Sequence, residues 1–130
     1  MKYVDGFVLV VKKDRIEDYR EMAQKASQIW KKYGALEYFE CVGDDLNPKI
    51  LEGMEDMKGT TFPELTKINE DETVVFAFIV YKSREQRDEV NEKVMKDPEM
   101  SPEAWEGKEM PFDMKKVSFG GFKVLVEERR

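Results

Sequence analysis

The chain has 130 residues, a length that fits one domain able to bury roughly two-thirds of the surface its unfolded form exposes. Its net charge is −6, and its basic residues are interleaved with acids, as in "KKDRIEDYRE". No basic stripe exists to displace counterions from nucleic acid or to hold an anionic membrane, so neither partner is expected. Apolar residues make up 41% and charged ones 38%, and no apolar run approaches the about 18 residues that span a bilayer.

The stretch "MKYVDGFVLVVKKD" is interrupted by Asp5 and followed by no small-residue cleavage site, so it reads as a strand of the mature protein. A single cysteine, Cys41, allows no intramolecular disulfide and points to the reducing cytoplasm. Histidine is absent. That removes the usual general base near neutral pH and the commonest transition-metal ligand, and excludes Ser-His-Asp and Cys-His catalysis within one chain. Acid–base chemistry would fall to a carboxylate, Lys, Tyr or Cys with a strongly shifted pKa.

In chain order, residues 3–12, "YVDGFVLVVK", are rich in β-branched and aromatic side chains and predict a first strand. Asp14 and Glu17 have capping-box spacing and place a helix start there. Ile16, Tyr19, Met22, Ala23, Ala26, Ile29, Trp30 and Tyr33 form one helical stripe, ended by Gly34 as left-handed cap. A second strand, "LEYFECVG" (36–43), is mixed on both faces, as an edge strand would be. Residues 44–72 lack clear periodicity and form a long connection, in which "PKILEGMEDM" is a candidate helical turn. "TVVFAFIVYK" (73–82) predicts strand three. Ser83 and Gln86 then cap a helix that runs to Asp97, where Pro98 stops it. "SPEAWEG" predicts a short further helix. "MPFD" (110–113) reads as a turn anchored on the core by Phe112. A last strand spans 116–128, with Gly120-Gly121 marking a bulge or a close backbone approach.

The expected fold is therefore α+β: a ferredoxin-like βαββαβ domain over 1–130, with a four-stranded antiparallel sheet. Strands one and three would be central, because both of their faces are apolar: Val74, Phe76, Phe78 and Val80 against Val75, Ala77, Ile79 and Tyr81 in strand three. Two helices cover only one face. The other would leave an apolar patch that soluble monomers avoid, and a second copy stacked face to face gives a homodimer with a closed, barrel-like interior. The competing arrangement folds the 44–72 segment over that face.

"YVDGFVL", "GALEYFECVGDD", "VVFAFIVYKSREQRDEVNEKVMKDP" and "MPFDMKKVSFGGF" resemble the YbaA-like family of small bacterial proteins, within the dimeric α/β-barrel superfamily. The resemblance runs from Tyr3 to about Val126, and "YKSREQRDEVNEKVMKDP" is its most specific block. It implies the same stacked dimer and no established activity. Wider relatives include cofactor-independent monooxygenases and haem-degrading enzymes. The haem binders generally use a proximal histidine that this chain lacks, so no cofactor is expected. The segment from Leu46 to Gly59 is longer than the family pattern.

Six residues stand out as candidate ligand contacts. Asp5, on one strand face with Tyr3, is either a general base in an apolar cavity or a hydrogen-bonded group at the strand mouth. Tyr38 and Glu40 share a face of the edge strand and either orient a small polar ligand or stay solvated. Arg87 and Asn91, one helical turn apart, either clamp a ligand carboxylate or belong to a salt-bridged surface with Arg84 and Asp88. Cys41 lacks a histidine partner and is expected to be a small buried hydrophobe. The functional expectation is a site for a small hydrophobic metabolite, which is bound or transformed. The alternative is a non-enzymatic dimeric binding or regulatory module. A cavity lined by Asp5, Tyr38 or Glu40 favours the first, and a solid core the second. Replacing Phe78 or Ile79 with a charged residue is expected to abolish either dimerisation or folding, read by sedimentation and circular dichroism. A soluble, folded dimer carrying either change would contradict this packing scheme.

Overall fold

The computed structural model describes residues 1–49, 56 and 59–130. Among them, β1 (Tyr3–Lys12), α1 (Ile16–Lys32), β2 (Glu37–Val42), α2 (Phe62–Thr66), β3 (Glu72–Tyr81), α3 (Arg84–Met95), α4 (Pro102–Trp105) and β4 (Ser118–Lys123) follow in that order. The strands form a four-stranded sheet in the order β2-β3-β1-β4, each pair antiparallel. This is the ferredoxin-like arrangement, with β1 and β3 in the centre.

The alternation of side chains along these strands sorts the sheet into two faces. Tyr3, Leu9, Val11, Val75, Ala77, Ile79 and Tyr81 are buried on the helix side. They pack into two clusters. One joins Tyr3, Ile79 and Tyr81 to Ile29 of α1 and to Val90 and Val94 of α3. The other joins Leu9, Val11, Val75 and Ala77 to Tyr19 and Ala23 of α1, with Phe112 against it. Phe7 touches both clusters. On the opposite face an aromatic ladder runs across the strands. Phe39 stacks on Phe78 at 4.9 Å, Phe78 meets Phe76 at 5.8 Å, and Phe62 of α2 reaches Phe76 at 6.5 Å. Phe39 and Phe76 are still 46% and 44% exposed. Among the described residues, the long connection therefore reaches one end of this face, where Val10 and Val74 are buried, and leaves Phe39 and Phe76 half exposed.

The ends of the elements follow local chemistry. The Ser83 hydroxyl accepts from Gln86 N–H at 3.1 Å and caps α3, while the Gln86 side-chain oxygen accepts from Lys82 N–H rather than from Ser83 N–H. Gly34 closes α1 at φ 116°, a conformation that costs residues with a Cβ. Phe112 bridges to Val11 and meets Tyr19 edge-on at 6.2 Å, anchoring the 110–113 turn as expected.

Several expectations need correction. Asp14 does not cap α1: a 3₁₀ turn over Lys13–Arg15 precedes the helix, and Arg15 at the cap position makes no side-chain cap bond. Lys13 N–H is already committed to the Asp71 carbonyl at 2.8 Å, which sets how the chain enters the helix. Helix α3 stops at Met95, and Asp97, rather than ending it, caps a 3₁₀ turn at Pro98–Met100. Helix α2, capped by Thr61, lies in a stretch without readable periodicity because it is only one turn long. Strand β4 ends at Lys123 rather than 128, because β1 begins at Tyr3 and offers only one further backbone bond, from Val124 N–H to the Lys2 carbonyl. Gly120-Gly121 is not a bulge, since the pairing is regular. A Cβ at Gly121 would collide with the Tyr3 hydroxyl and ring, so it is a close approach. Cys41 is exposed rather than buried, because it points from the edge strand toward the uncovered face. Most of "PKILEGMEDM" and of the Leu46–Gly59 segment lies outside the described residues.

Candidate functional site

Two polar groupings sit on the helix side of the sheet, and together they contain all six residues singled out from the sequence. The first is built on Asp5. Its position on β1 faces the first turn of α3, and Arg87 reaches it with a guanidinium nitrogen at 2.8 Å. Arg87 also lies over the Tyr3 ring, 4.8 Å from its centre, and donates to Asp88 at 2.8 Å. Asn91, one turn further along α3, accepts from the Trp30 indole at 3.2 Å and from the Tyr81 hydroxyl at 3.5 Å. Burial pushes the Asp5 carboxyl above the usual carboxylate range, and Arg87, Tyr81 and Asn91 pull it part of the way back. Burial acts on Arg87 too, but the Asp5 and Asp88 carboxylates outweigh it and hold the guanidinium above its ordinary value.

Arg87 already holds Asp5 and Asp88, and the Asn91 carbonyl oxygen already accepts from Trp30 and Tyr81, so both side chains have partners within the chain. Asp5 is 6% exposed, neither a solvated mouth residue nor a free base. The pair pins α3 to the central strand. Removing Arg87 would leave the Asp5 carboxylate without its cation in a buried position, which weighs on the fold.

The second grouping is different in kind. Glu40 stands on the helix face of β2, opposite Ala77, and accepts a hydrogen bond at each oxygen: from the Tyr19 hydroxyl at 2.7 Å and the Tyr38 hydroxyl at 2.8 Å. The three polar tips line a cavity of about 430 Å³ between α1 and β2. Its apolar wall is Ile16, Ala23 and Val75, and exposed Arg20 and Gln24 lie around its rim. The small side chain of Ala23 on this wall leaves space that a larger residue would fill. Burial raises the Glu40 carboxyl above its usual range, and the two phenolic donors lower it again without cancelling the effect. Tyr19 and Tyr38 are pushed up strongly, by burial first and then by the neighbouring carboxylate, so both keep their protons and act as donors. Trp30 joins the two groupings, with its ring 6.3 Å from Tyr38 and its indole N–H on Asn91.

Tyr19, Trp30 and Tyr81 belong to the site region and were read from the sequence only as apolar stripe or strand positions. Their periodicity marks them as buried, but nothing in one-dimensional spacing shows where a phenol or indole donor points. A second hollow of about 340 Å³ lies between α1 and the Trp105–Pro111 stretch. Its charged walls pair with one another, Arg15 with Asp18 and with Glu109, and it brings no buried reactive group together.

A four-stranded sheet in ferredoxin-like order, with a carboxylate–tyrosine cavity under its first helix, defines an α+β protein of the ferredoxin-like class. The chain matches, over residues 2–114, the family described as "Protein of unknown function (DUF1428)", and it belongs to that family. It is 44% identical over 128 residues to "Uncharacterized protein YbaA" of Escherichia coli strain K12, covering 98% of this chain and 100% of the relative. The same figures hold for the protein of that name from Shigella flexneri. A dimeric ferredoxin-like protein from an uncultured marine organism, solved by crystallography, matches with a TM-score of 0.52 and 11% identity, covering 100% of both chains. At that identity the likeness supports the fold alone.

The raised Glu40 carboxyl makes a prediction with a definite sign. Protonation is easier in the folded chain than in the unfolded one, so this group favours folding below about pH 4.3, the ordinary glutamate value. That contribution is lost as the pH rises through the folded value, and the ionised form is then a burden on the fold. Glu40→Gln should therefore melt no lower than the parent at pH 7.5, and its advantage should shrink as the pH is lowered towards about 4. A variant markedly less stable at pH 7.5, in melts followed by circular dichroism, would show that Glu40 is a structural group.

Proposed function

We propose that this protein is a cytoplasmic homodimer that binds or transforms a small hydrophobic metabolite, without metal or haem, in the cavity between α1 and β2. The observation that carries this reading is the cavity itself. Small-molecule sites are concave and largely apolar, occupy roughly 300–1,000 Å³, and hold a few converging polar groups. A space of about 430 Å³, walled by Ile16, Ala23 and Val75 and centred on Glu40 and two phenols, has that composition. A carboxyl raised by burial and held by two donors is also the kind of group found at functional sites.

The homodimer is supported by the bare sheet face. Phe39, Phe76 and Phe122 are 46%, 44% and 61% exposed on it, a contiguous apolar surface that isolated chains rarely tolerate. A second copy stacked through the same face is self-complementary, and the marine structural relative is described as dimeric. Tyr3, Asp5, Arg87 and Asn91 then serve as the packing that supports the site wall, while Tyr38 and Glu40 face the ligand. The absence of histidine supports chemistry without haem, and the unpaired cysteine supports a reducing compartment. A non-enzymatic interaction module is the second reading, favoured by the exposed apolar side chains of Phe119, Leu125 and Val126 along β4 and the C-terminal segment.

Amide-shift mapping with a set of small aromatic and aliphatic fragments tests the site. Shifts are expected to gather at Tyr19, Ala23, Tyr38 and Glu40. They should disappear in Ser27→Trp, which fills the cavity from α1 without removing a core contact. Shifts confined to Phe119, Leu125 and Val126, or none at all, would overturn the cavity reading.

A further inference from the structure

Taken as the small-molecule site proposed above, the Glu40 cavity offers acceptors and no free donor at its polar centre. Both phenolic protons are committed: Tyr19 donates to one carboxylate oxygen at 2.7 Å and Tyr38 to the other at 2.8 Å. An ionised carboxylate has about four lone-pair positions, so roughly half remain open, and each phenol oxygen keeps acceptor capacity of its own. The Ser27 hydroxyl on the cavity wall donates to the Gln24 carbonyl at 2.7 Å, which commits that proton as well. The three oxygen-bearing groups at the centre can only receive hydrogen bonds.

Charge points the same way. Among the described residues no lysine or arginine pairs with Glu40. Arg20, the cation on the rim, is turned to Glu17 at 3.2 Å with its side chain 67% exposed. Asp5 shows what the fold does with a buried carboxylate that has a purely structural task, because it receives an arginine at 2.8 Å. Glu40 receives two neutral donors and a cavity instead. A carboxylate taken out of water without a countercharge is costly, and a cation arriving with the ligand would offset that cost.

We propose that the ligand of this cavity carries an ammonium group, a primary amine on a small apolar or aromatic body, seated on Glu40 between the Tyr19 and Tyr38 hydroxyls. Three N–H donors match the open positions on Glu40 and on the two phenol oxygens, and hydrogen bonds between ionised partners are the stronger kind. The body of the ligand lies along Ile16, Ala23 and Val75. A carboxylate or phosphate at Glu40 would meet a like charge where both phenolic protons are already committed, and an alcohol would supply only one donor. The net charge of −6 adds a weak, salt-sensitive attraction for cations.

The test uses three probes with nearly the same body: phenethylamine, 2-phenylethanol and phenylacetate, each titrated into the full chain and followed by amide shifts. Phenethylamine is expected to move residues of α1 and β2 around Glu40 and to bind about tenfold more tightly than 2-phenylethanol, while phenylacetate binds least. Glu40→Gln, whose folding is checked by its melt, should weaken phenethylamine about tenfold and leave 2-phenylethanol within about twofold. If 2-phenylethanol or phenylacetate binds at the same residues as tightly as the amine, the ammonium assignment fails and the cavity reading stands. If Glu40→Gln leaves the amine's affinity unchanged, the assignment fails in the same way. If none of the three probes moves the cavity residues, both fail together.

Discussion

The apolar character of both faces of β1 and β3 is the constraint on which the rest of this structure depends. A strand exposes alternate residues to opposite sides, so Val75, Ala77, Ile79 and Tyr81 demand a cover on one side, while Val74, Phe76, Phe78 and Val80 demand one on the other. Helices α1 and α3 satisfy the first demand, and their packing fixes where polar groups can survive. Arg87 projects from α3 onto Asp5, and Tyr19 from α1 onto Glu40. Among the described residues, the second demand is met at one end of the face, where Phe62 of α2 reaches Phe76 and Val10 and Val74 are buried. The aromatic ladder from Phe62 to Phe39 is already ordered within one chain, which gives a second copy a preformed surface to meet. The proposed assembly and the proposed site meet at β3, which lends Val75 to the cavity wall on one side and Phe76 and Phe78 to the opposite face.

The two buried carboxylates separate support from chemistry. Asp5 is compensated by the Arg87 charge and by hydrogen bonds from Tyr81 and Asn91. Glu40 is compensated only by neutral donors and borders open space. Natural folds tolerate such incomplete compensation mainly where something else binds, since an unpaired buried charge otherwise weighs on stability. Trp30, which touches Tyr38 with its ring and Asn91 with its indole nitrogen, couples the rigid grouping to the open one. It holds the cavity wall in register with α3.

Much of the architecture was legible in the residues. The unbroken apolar runs of β1 and β3 announce central strands, the Ser83–Gln86 spacing starts α3, and Gly34 ends α1. Family membership was legible in the "YKSREQRDEVNEKVMKDP" block, which lies within the matched span. The local misreadings share a cause, because a cap or turn motif competes with tertiary bonds that spacing does not record. Asp14 loses its capping role to the Lys13–Asp71 contact. In the site, the six candidate positions carry polar groups at unusual places on strands or a helix, which made them visible. Their partners were not visible. Asp5 and Arg87 are 82 positions apart, and Tyr19 and Glu40 are 21 apart. Only the folded sheet shows that the first pair closes on itself while the second opens onto space.

The most direct test of this account is the mass of the particle in dilute solution, measured by sedimentation velocity at low micromolar concentration in moderate salt. If the aromatic face is covered by a second copy, the protein sediments at twice the 15.3 kDa chain mass, and the species persists on dilution. A folded, well-dispersed particle of 15.3 kDa would show that the face needs no partner. It would contradict the claim that the two-sided apolar sheet governs how this protein is built.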